Sequence, residues 1–201
     1  MKLYISPGAC SLSPHIVLRE LGLPFDLERV DTKAQKTASG ANFTEINPKK
    51  YVPTLRLDDG QVLTEGAVIV QYLADRKPEA QLAPPAGSME RYRLQEWLNY
   101  IASEVHKSFS PLFRASEEQR PALRDALAPK LEFLARHLEK RQFLLGDRFS
   151  VADAYLFTVL NWSKFVGIDL GRWPALDAYV KRIAARPAVR AALEAEGLLR
   201  S

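Results

Sequence analysis

Cysteine is almost absent from this sequence, with Cys10 alone among 201 residues. A single cysteine excludes an intrachain disulfide and any metal cluster built on several thiolates. A chain without disulfides suits a reducing compartment, and the N-terminal segment MKLYISPGAC lacks the apolar run of a secretory signal. The sequence therefore predicts a cytoplasmic protein that binds no metal.

Long apolar runs and blocks of like charge are also missing. No stretch approaches the roughly 18 apolar residues of a membrane-spanning helix. The 28 basic and 24 acidic residues are interleaved and leave a formal net charge of only +4, whereas nucleic-acid binders concentrate positive charge on one face or arm. Neither a membrane nor a nucleic acid is expected as a partner, and the 47% hydrophobic content is sufficient for a folded core.

The first 80 or so residues alternate between strand-like and helix-like patterns. Lys2–Ser6 is short, apolar and β-prone, and Ser11–Leu21 carries apolar residues at helical spacing before a stop at Gly22. Phe25–Val30 reads as a second strand. The order strand, helix, strand predicts a βαβ unit with a parallel pair.

A hairpin is predicted next, after a polar stretch at 33–47 that holds at most one short helix. Its strands are Tyr51–Leu57 and Gln61–Leu63, joined by an Asp-Asp-Gly turn. Thr64 is expected to cap a helix over Glu65–Asp75.

A proline-rich segment at 78–87 predicts a linker between a domain at 1–77 and an all-helical domain at 88–201. Ser150 and Asp153 form the Ser-x-x-Asp pattern of a capping box before a very apolar helix. The helical patterns after the linker are Ser88–Phe113, Leu123–Leu138, Ser150–Phe165, Pro174–Ala184 and Ala188–Ala195.

Several short segments, in this order, carry a family resemblance: PGACS at 7–11, NPKKYVP at 47–53, LTEG at 63–66 and WLNYIASEVHK at 97–107. Over essentially its whole length the chain resembles the cytosolic glutathione transferases of the bacterial beta class. The resemblance implies a thioredoxin-like βαβ-ββα domain that binds glutathione and an all-helical domain with the electrophile site and dimer contacts. Glutathione as co-substrate, a small hydrophobic electrophile and a homodimer are the implied partners.

Cys10 is the first candidate catalytic residue, because it lies between a strand and a helix N-terminus. Such positions favour anions and lower thiol pKa values, although a free cysteine is also commonly an inert core residue. The resemblance implies that Cys10 contacts the glutathione sulfur and can form a mixed disulfide with it. Ser11 is either a neighbouring hydroxyl donor or a helix cap, and Tyr4 is read as a packed aromatic without a catalytic role.

The resemblance assigns glutathione contacts to two further segments of the first domain. A cis peptide between Val52 and Pro53 is implied, with the Val52 backbone pairing with the cysteinyl backbone like an added strand; the alternative is an ordinary edge-strand proline. The resemblance implies that Glu65 binds the ammonium group of the γ-glutamyl residue of glutathione. Backbone N–H groups near Gly66 are implied to bind the carboxylate of the same residue. Glu65 can instead be a helix-dipole carboxylate.

Asn99, Ser103 and His106 follow i, i+4, i+7 spacing, which predicts one polar face on a long helix. His106 is the second candidate catalytic residue, able to donate to a thiolate or move a proton near neutral pH; a surface histidine without function is the alternative. The resemblance extends the binding segment to Glu104, which reaches a neighbouring subunit's ligand, and to Val105 and Lys107.

Gln35 departs from the family pattern, which places a lysine there to pair with the glycyl carboxylate. An amide can hydrogen-bond but carries no charge, so we expect weaker binding or replacement by Lys33 or Lys36.

The predicted function is conjugation of the glutathione thiolate to small hydrophobic electrophiles, in detoxification or catabolism. One alternative is glutathione-dependent disulfide reduction or reductive dehalogenation through a mixed disulfide on Cys10. Another is a non-catalytic ligand-binding protein on the same fold.

Overall fold

A computed structural model describes residues 1–199 of the chain. The contacts among these residues divide the chain into two units. The first contains Met1–Gln81 and the C-terminal segment that begins at Arg186, and the second is Leu82–Ala185. The last two positions of the predicted helical domain, 200 and 201, lie outside the described residues.

The first unit contains a five-stranded sheet in the order β3-β2-β1-β4-β5. β1 and β2 are parallel, as the βαβ pattern predicted, and the other pairs are antiparallel. The strands are β1 (Lys2–Ile5), β2 (Asp26–Asp31), β3 (Lys36–Thr37), β4 (Thr54–Arg56) and β5 (Val62–Thr64), and the helices before the second unit are α1 (Leu12–Leu21), α2 (Phe43–Ile46) and α3 (Gly66–Asp75).

Local sequence explains most of these boundaries. α1 ends at Gly22, whose φ of 61° is the left-handed conformation that glycine adopts without cost. The predicted β4–β5 hairpin is present. The two-residue strand β3 was missed, because Lys36–Thr37 is too short and polar for a β pattern to emerge. Thr64 is not the cap of α3: it ends β5, and Glu65 occupies the cap position without a side-chain cap bond.

The C-terminal helix α9 (Pro187–Ala195) lies in the first unit and not, as the predicted division had it, in the helical one. It packs against α1, and Arg186 before it makes a two-pronged ion pair with Glu20 at 2.6 and 2.9 Å. Sequence order could not reveal this, because the polypeptide returns from one unit to the other after residue 185.

The second unit is helical, as predicted. Its most buried element is α7, all ten of whose residues are buried, and α6 contains Pro129. The helices are α4 (Met89–Tyr100), α5 (His106–Phe109), α6 (Arg120–Leu138), α7 (Val151–Leu160) and α8 (Pro174–Ala184), with 3₁₀ turns at Pro78–Ala80 in the first unit and at Ser110–Phe113, Asn161–Phe165 and Leu170–Arg172 in this one.

The predicted capping box at the start of α7 is formed. The Asp153 carboxylate accepts hydrogen bonds from the Ser150 backbone N–H at 2.8 Å, the Leu144 N–H at 2.8 Å and the Tyr179 hydroxyl at 2.9 Å. Burial raises the pKa of Asp153, and these hydrogen bonds oppose the rise. Asp153 therefore joins three segments of the helical unit as well as capping one helix.

The long helix predicted over Ser88–Phe113 is not uniform. It is α-helical to Tyr100, forms a π turn over Ile101–Val105, and resumes as α5 at His106. A π turn contains an extra residue, which rotates the following residues by about 100° relative to a continuous α-helix. Within residues 1–199, no helix has the length and apolar character required to cross a membrane.

Candidate functional site

Cys10 lies in the turn between β1 and α1, two residues before the helix begins, and is half-buried. Its Sγ atom is 3.2 Å from the Val52 carbonyl oxygen, to which the thiol donates. The structure thus brings together two predicted glutathione contacts that are far apart in sequence.

Ser11 is fully buried and does not cap α1. Its Oγ atom lies 3.2 Å from both the backbone N–H and the carbonyl oxygen of Ser6. The hydroxyl therefore closes the turn that carries Cys10. Tyr4 packs as expected, 5.8 Å from the Phe43 ring and 3% exposed.

The segment 49–53 connects the other candidates of this unit. Lys49 Nζ is 2.7 Å from Glu65 Oε1, and the Lys50 carbonyl accepts from Gln35 Nε2 at 3.4 Å. The Val52 carbonyl accepts from Cys10. Side chains from three different loops therefore converge on one five-residue stretch.

Asn47 shapes this stretch, and sequence reasoning missed it. Its buried amide donates to the Tyr51 carbonyl at 2.8 Å and to Thr54 Oγ1 at 2.9 Å, while its Oδ1 accepts from the Lys49 N–H at 3.0 Å. An asparagine just before a proline is a turn signal that would have identified it.

The peptide bond between Val52 and Pro53 is cis, as the resemblance implied. Pro53 is buried beside Gly66, where a Cβ atom would lie 3.5 Å from Pro53 Cγ. Glu65, at the cap position of α3, has a φ of 69° and an exposed side chain. The candidate ammonium ligand therefore projects from the start of α3.

Gln35 is committed to the backbone of its own loop. Its Nε2 donates to the Thr32 carbonyl at 2.6 Å as well as to Lys50. Its Oε1 is buried and has no hydrogen-bond partner in the described part of the chain. The amide donors are thus engaged by carbonyls, while Lys33 and Lys36 nearby are exposed.

In the helical unit, His106 is held in an aromatic cluster. Its Nδ1 is 2.8 Å from the Tyr155 hydroxyl, and the Trp162 ring meets it edge-on at 4.8 Å between centroids. Burial, and secondarily the positive charge of Lys107, lowers the pKa of His106 from 6.5 to about 4. The imidazole is therefore neutral near pH 7. Tyr155 and Trp162 were missed, although both follow a capping box in an apolar helical segment.

The predicted common face of Asn99, Ser103 and His106 is broken by the π turn. Asn99 and Ser103 are exposed, and the Ser103 hydroxyl donates to the Asn99 carbonyl at 2.9 Å, whereas His106 turns into the aromatic cluster. The rotation by about one residue explains the difference.

The remaining residues of this segment point in different directions. Glu104 pairs with Lys130 on α6. Val105 is fully buried, so its side chain belongs to the core, and Lys107 is exposed. Among residues 1–199, no three His, Cys, Asp or Glu side chains are grouped as metal ligands would be.

Comparison with protein families matches both units. Residues 8–76 match the family model described as glutathione S-transferase, N-terminal domain, and residues 97–187 match the glutathione S-transferase, C-terminal domain. A glutathione S-transferase GstA of Escherichia coli O157:H7 is 48% identical over 200 residues, covering 98% of this chain and all of the relative.

Solved structures agree with this result. A bacterial glutathione transferase described as a ternary complex of BphK has a TM-score of 0.96 and 60% identity, covering 98% of this chain and all of that one. A bacterial beta class enzyme of Sphingomonas chungbukensis has a TM-score of 0.96 and 50% sequence identity, covering 99% of this chain and all of that one. A sphingomonad enzyme complexed with glutathione has a TM-score of 0.95 and 49% sequence identity, and it also covers 99% of this chain and all of its own. The chain belongs to the glutathione transferase family, in its bacterial beta class.

Proposed function

We propose that this protein conjugates the thiolate of glutathione to small hydrophobic electrophiles. Membership in the glutathione transferase family supports the reaction type. The observation that carries the assignment of the thiol site is the convergence of Cys10, Gln35 and Glu65 on the segment 49–53. One structure similar to this chain was solved with glutathione bound.

In this proposal the γ-glutamyl end lies at the start of α3. The first N–H groups of a ten-residue helix favour a carboxylate, and Glu65 accepts the ammonium group. Gly66 has no side chain, so a ligand can approach its backbone closely. Lys49 pairs with Glu65 in the structure and must yield to the ammonium or share the carboxylate.

The cysteinyl residue of glutathione pairs with the Val52 backbone and places its sulfur beside Cys10. Ser11 acts by closing the turn around Cys10, since its hydroxyl is already bonded to Ser6. Pro53 shapes the segment. Because the Gln35 amide donates to backbone carbonyls, the glycyl carboxylate is assigned to Lys33 or Lys36, whose side chains are exposed.

His106 serves this reaction as a neutral hydrogen-bond donor to the thiolate. If the Tyr155 hydroxyl donates to Nδ1, the ring proton lies on Nε2, where it can be offered to sulfur. Each unit by which the site depresses the thiol pKa corresponds to about 1.4 kcal/mol of preference for the anion. The exposed residues Asn99, Ser103, Glu104 and Lys107 complete the proposed binding segment, in which Val105 has only its backbone to offer because its side chain is buried. Glu104 is assigned to the ligand of a second subunit in a homodimer.

Aromatic side chains of the helical unit supply an apolar surface for the electrophile. The Phe113 ring meets Trp162 edge-on at 5.7 Å and is 48% exposed, and Phe165 is 58% exposed. Trp162 contacts both Phe113 and His106, and exposed aromatic rings suit flat, weakly polar electrophiles. The role in detoxification or catabolism and the cytoplasmic location remain part of the proposal.

Disulfide reduction is the second candidate, favoured by the partial exposure of Cys10. The Cys10 thiolate would attack the glutathione sulfur of a mixed disulfide, form a disulfide bond with that glutathione and release the other half as a thiolate. A second glutathione thiolate would then displace Cys10 and form oxidised glutathione, because the chain has no other cysteine to do so.

The test compares wild type with Cys10→Ala and Cys10→Ser in three measurements: calorimetric binding of glutathione, conjugation of an aromatic halide, and reduction of a glutathione mixed disulfide. Conjugation that survives in Cys10→Ala, within about tenfold of wild type, supports the proposal. Loss of both reactions in that variant favours covalent chemistry on Cys10. Saturable binding by wild type without turnover of any electrophile would identify a ligand-binding protein instead.

A further inference from the structure

A buried polar cluster connects the C-terminus of α9 to the turn that carries Cys10. Glu196 Oε2 accepts from the Gly8 backbone N–H at 2.8 Å, and Glu196 Oε1 lies 2.8 Å from His15 Nδ1. The side chains of Glu196 and His15 are both 0% exposed. Gly8 is two residues before Cys10, so a carboxyl group 188 positions away holds the turn directly.

The hydrogen-bond directions in this cluster follow from Arg19. Its Nε–H donates to His15 Nε2 at 2.8 Å, so that nitrogen accepts. The neutral ring then carries its proton on Nδ1 and donates to Glu196. One carboxyl group thus receives two donors, one from α1 and one from the Cys10 turn.

Gly197 and Leu198, just after α9, close over the same turn. Gly197 has a φ of 74°, and the Leu198 N–H donates back to the Leu193 carbonyl at 2.8 Å, which is the pattern of a helix C-terminal cap. This reversal brings the Leu198 side chain onto Gly8, where an added Cβ would lie 3.3 Å from Leu198 Cδ2. The turn is therefore bonded by Glu196 and covered by Leu198.

We infer that Glu196 is a positioning residue for Cys10: through Gly8 it holds the turn in the conformation that keeps the thiol at the Val52 carbonyl. This inference rests on the proposed function only in taking Cys10 as the reacting position. The C-terminal segment would then control the exposure and orientation of the thiol rather than serve only as packing for α1.

The physical reason is the cost of an unmade bond. Without the carboxylate, the Gly8 N–H and His15 Nδ1 both lose the acceptor oxygen that Glu196 gives them. The turn relieves this by opening toward water, which separates Cys10 from Val52 and exposes the sulfur. The hydrogen bond between the Ser6 N–H and the Ser11 hydroxyl remains in place, so the opening of the turn is local.

The test variant is Glu196→Gln, which preserves size but offers a single acceptor oxygen to two donors. Alkylation of Cys10 by iodoacetamide is followed by intact mass, together with amide hydrogen exchange across residues 6–12. We expect alkylation to accelerate about tenfold, the effect of losing one charge-assisted hydrogen bond, with faster exchange at Gly8 and a raised KM for glutathione.

Glu20→Gln is the matched control, because Glu20 also ties α1 to the start of α9, through Arg186, without contacting the Cys10 turn. Its alkylation rate and Gly8 exchange should stay within about twofold of wild type. The measurements are compared at 25 °C, where circular dichroism must show that both variants are folded. If alkylation is slow in wild type and in both variants, hydrogen exchange at Gly8 provides the result.

Equal alkylation and equal Gly8 exchange in Glu196→Gln and wild type would overturn the inference, as would the same change in both variants. Neither readout requires glutathione. If wild type proves unable to bind or turn over glutathione, the proposed function fails, while the comparison of Glu196→Gln with Glu20→Gln still decides the positioning role.

Discussion

The two units place their candidate groups by different means. In the first unit Cys10, Val52 and Glu65 lie in turns between strands and helices, and polar side chains such as those of Ser11 and Asn47 bond to the backbone of these turns. In the helical unit the candidates project from one interrupted helix, and the catalytic candidate His106 is surrounded by packed aromatic side chains. Substitution of Gln35 in the first unit should therefore change ligand binding with little loss of stability, whereas removal of the buried Asp153 or protonation of His106 in the helical unit should lower stability.

The variant Asp153→Ala tests this difference between the units most directly, because it has the largest expected effect on stability. It removes a fully buried carboxylate and leaves its donors from Leu144, Ser150 and Tyr179 without an acceptor. We expect a loss of about 3–5 kcal/mol in the free energy of unfolding, measured by urea denaturation.

Ser150→Ala is the control for that experiment, since it removes only the hydroxyl half of the cap. A loss of about 1 kcal/mol is expected. Equal losses in the two variants would show that Asp153 acts only as a helix cap and does not join three segments.

The next largest effect concerns the pH dependence contributed by His106. Its pKa is about 4 in the folded protein, below the usual 6.5, so protons favour the unfolded chain. The contribution of His106 to stability is complete above pH 6.5, falls as the pH decreases toward 4, and changes no further below 4. The total is about 3 kcal/mol, measured as the difference between wild type and His106→Gln in chemical unfolding at several pH values.

An NMR titration gives an independent check of the same prediction. The imidazole carbon-bound protons of His106 should shift near pH 4 and remain constant between pH 6 and 8. A midpoint near 6.5 would mean that the ring is hydrated and that its environment is not the packed aromatic cluster.

Tyr155→Phe should have a smaller effect, confined to function. It preserves the ring beside His106 but removes the hydroxyl that selects the tautomer. We expect kcat for conjugation of an aromatic halide to fall about tenfold, with little change in KM for glutathione. A change confined to KM would place Tyr155 in substrate binding instead.

The substitution Gln35→Lys, in the first unit, has the smallest predicted effect on activity. It restores a cation near the proposed glycyl end, so KM for glutathione should fall about threefold, while the urea midpoint is unchanged. Lys36→Gln in the same assay removes a neighbouring charge and should raise KM, and the reverse direction in either variant would move the carboxylate site elsewhere.

The fold could largely be read from the sequence, because its cues are local. Alternating patterns, Gly22 and the Ser150–Asp153 cap located most elements within a few residues. The π turn at Ile101–Val105 could not be foreseen, since nothing in those residue types separates it from an α-helix; packing of Ile101 and Val105 into the core accompanies it. That single turn is why the predicted polar face does not exist.

The candidate site was only partly predictable. Cys10, Val52, Glu65 and Gly66 were proposed from short segments that resemble a family, and the structure brings Cys10 to Val52. Asn47 was missed although the proline after it marks a turn, and Tyr155 was missed because the sequence does not place it beside His106.

What the sequence determined by itself was therefore short-range: a single thiol between a strand and a helix, a proline after Val52, a capped apolar helix, and the absence of clustered charge. Tertiary structure alone decided which distant groups meet, as when Glu196 reaches Gly8 and Cys10 reaches Val52. The physical reason is that a helix, turn or cap is stabilised by neighbours within a few residues. A buried hydrogen bond between remote groups instead depends on how packed elements return the chain to the same point.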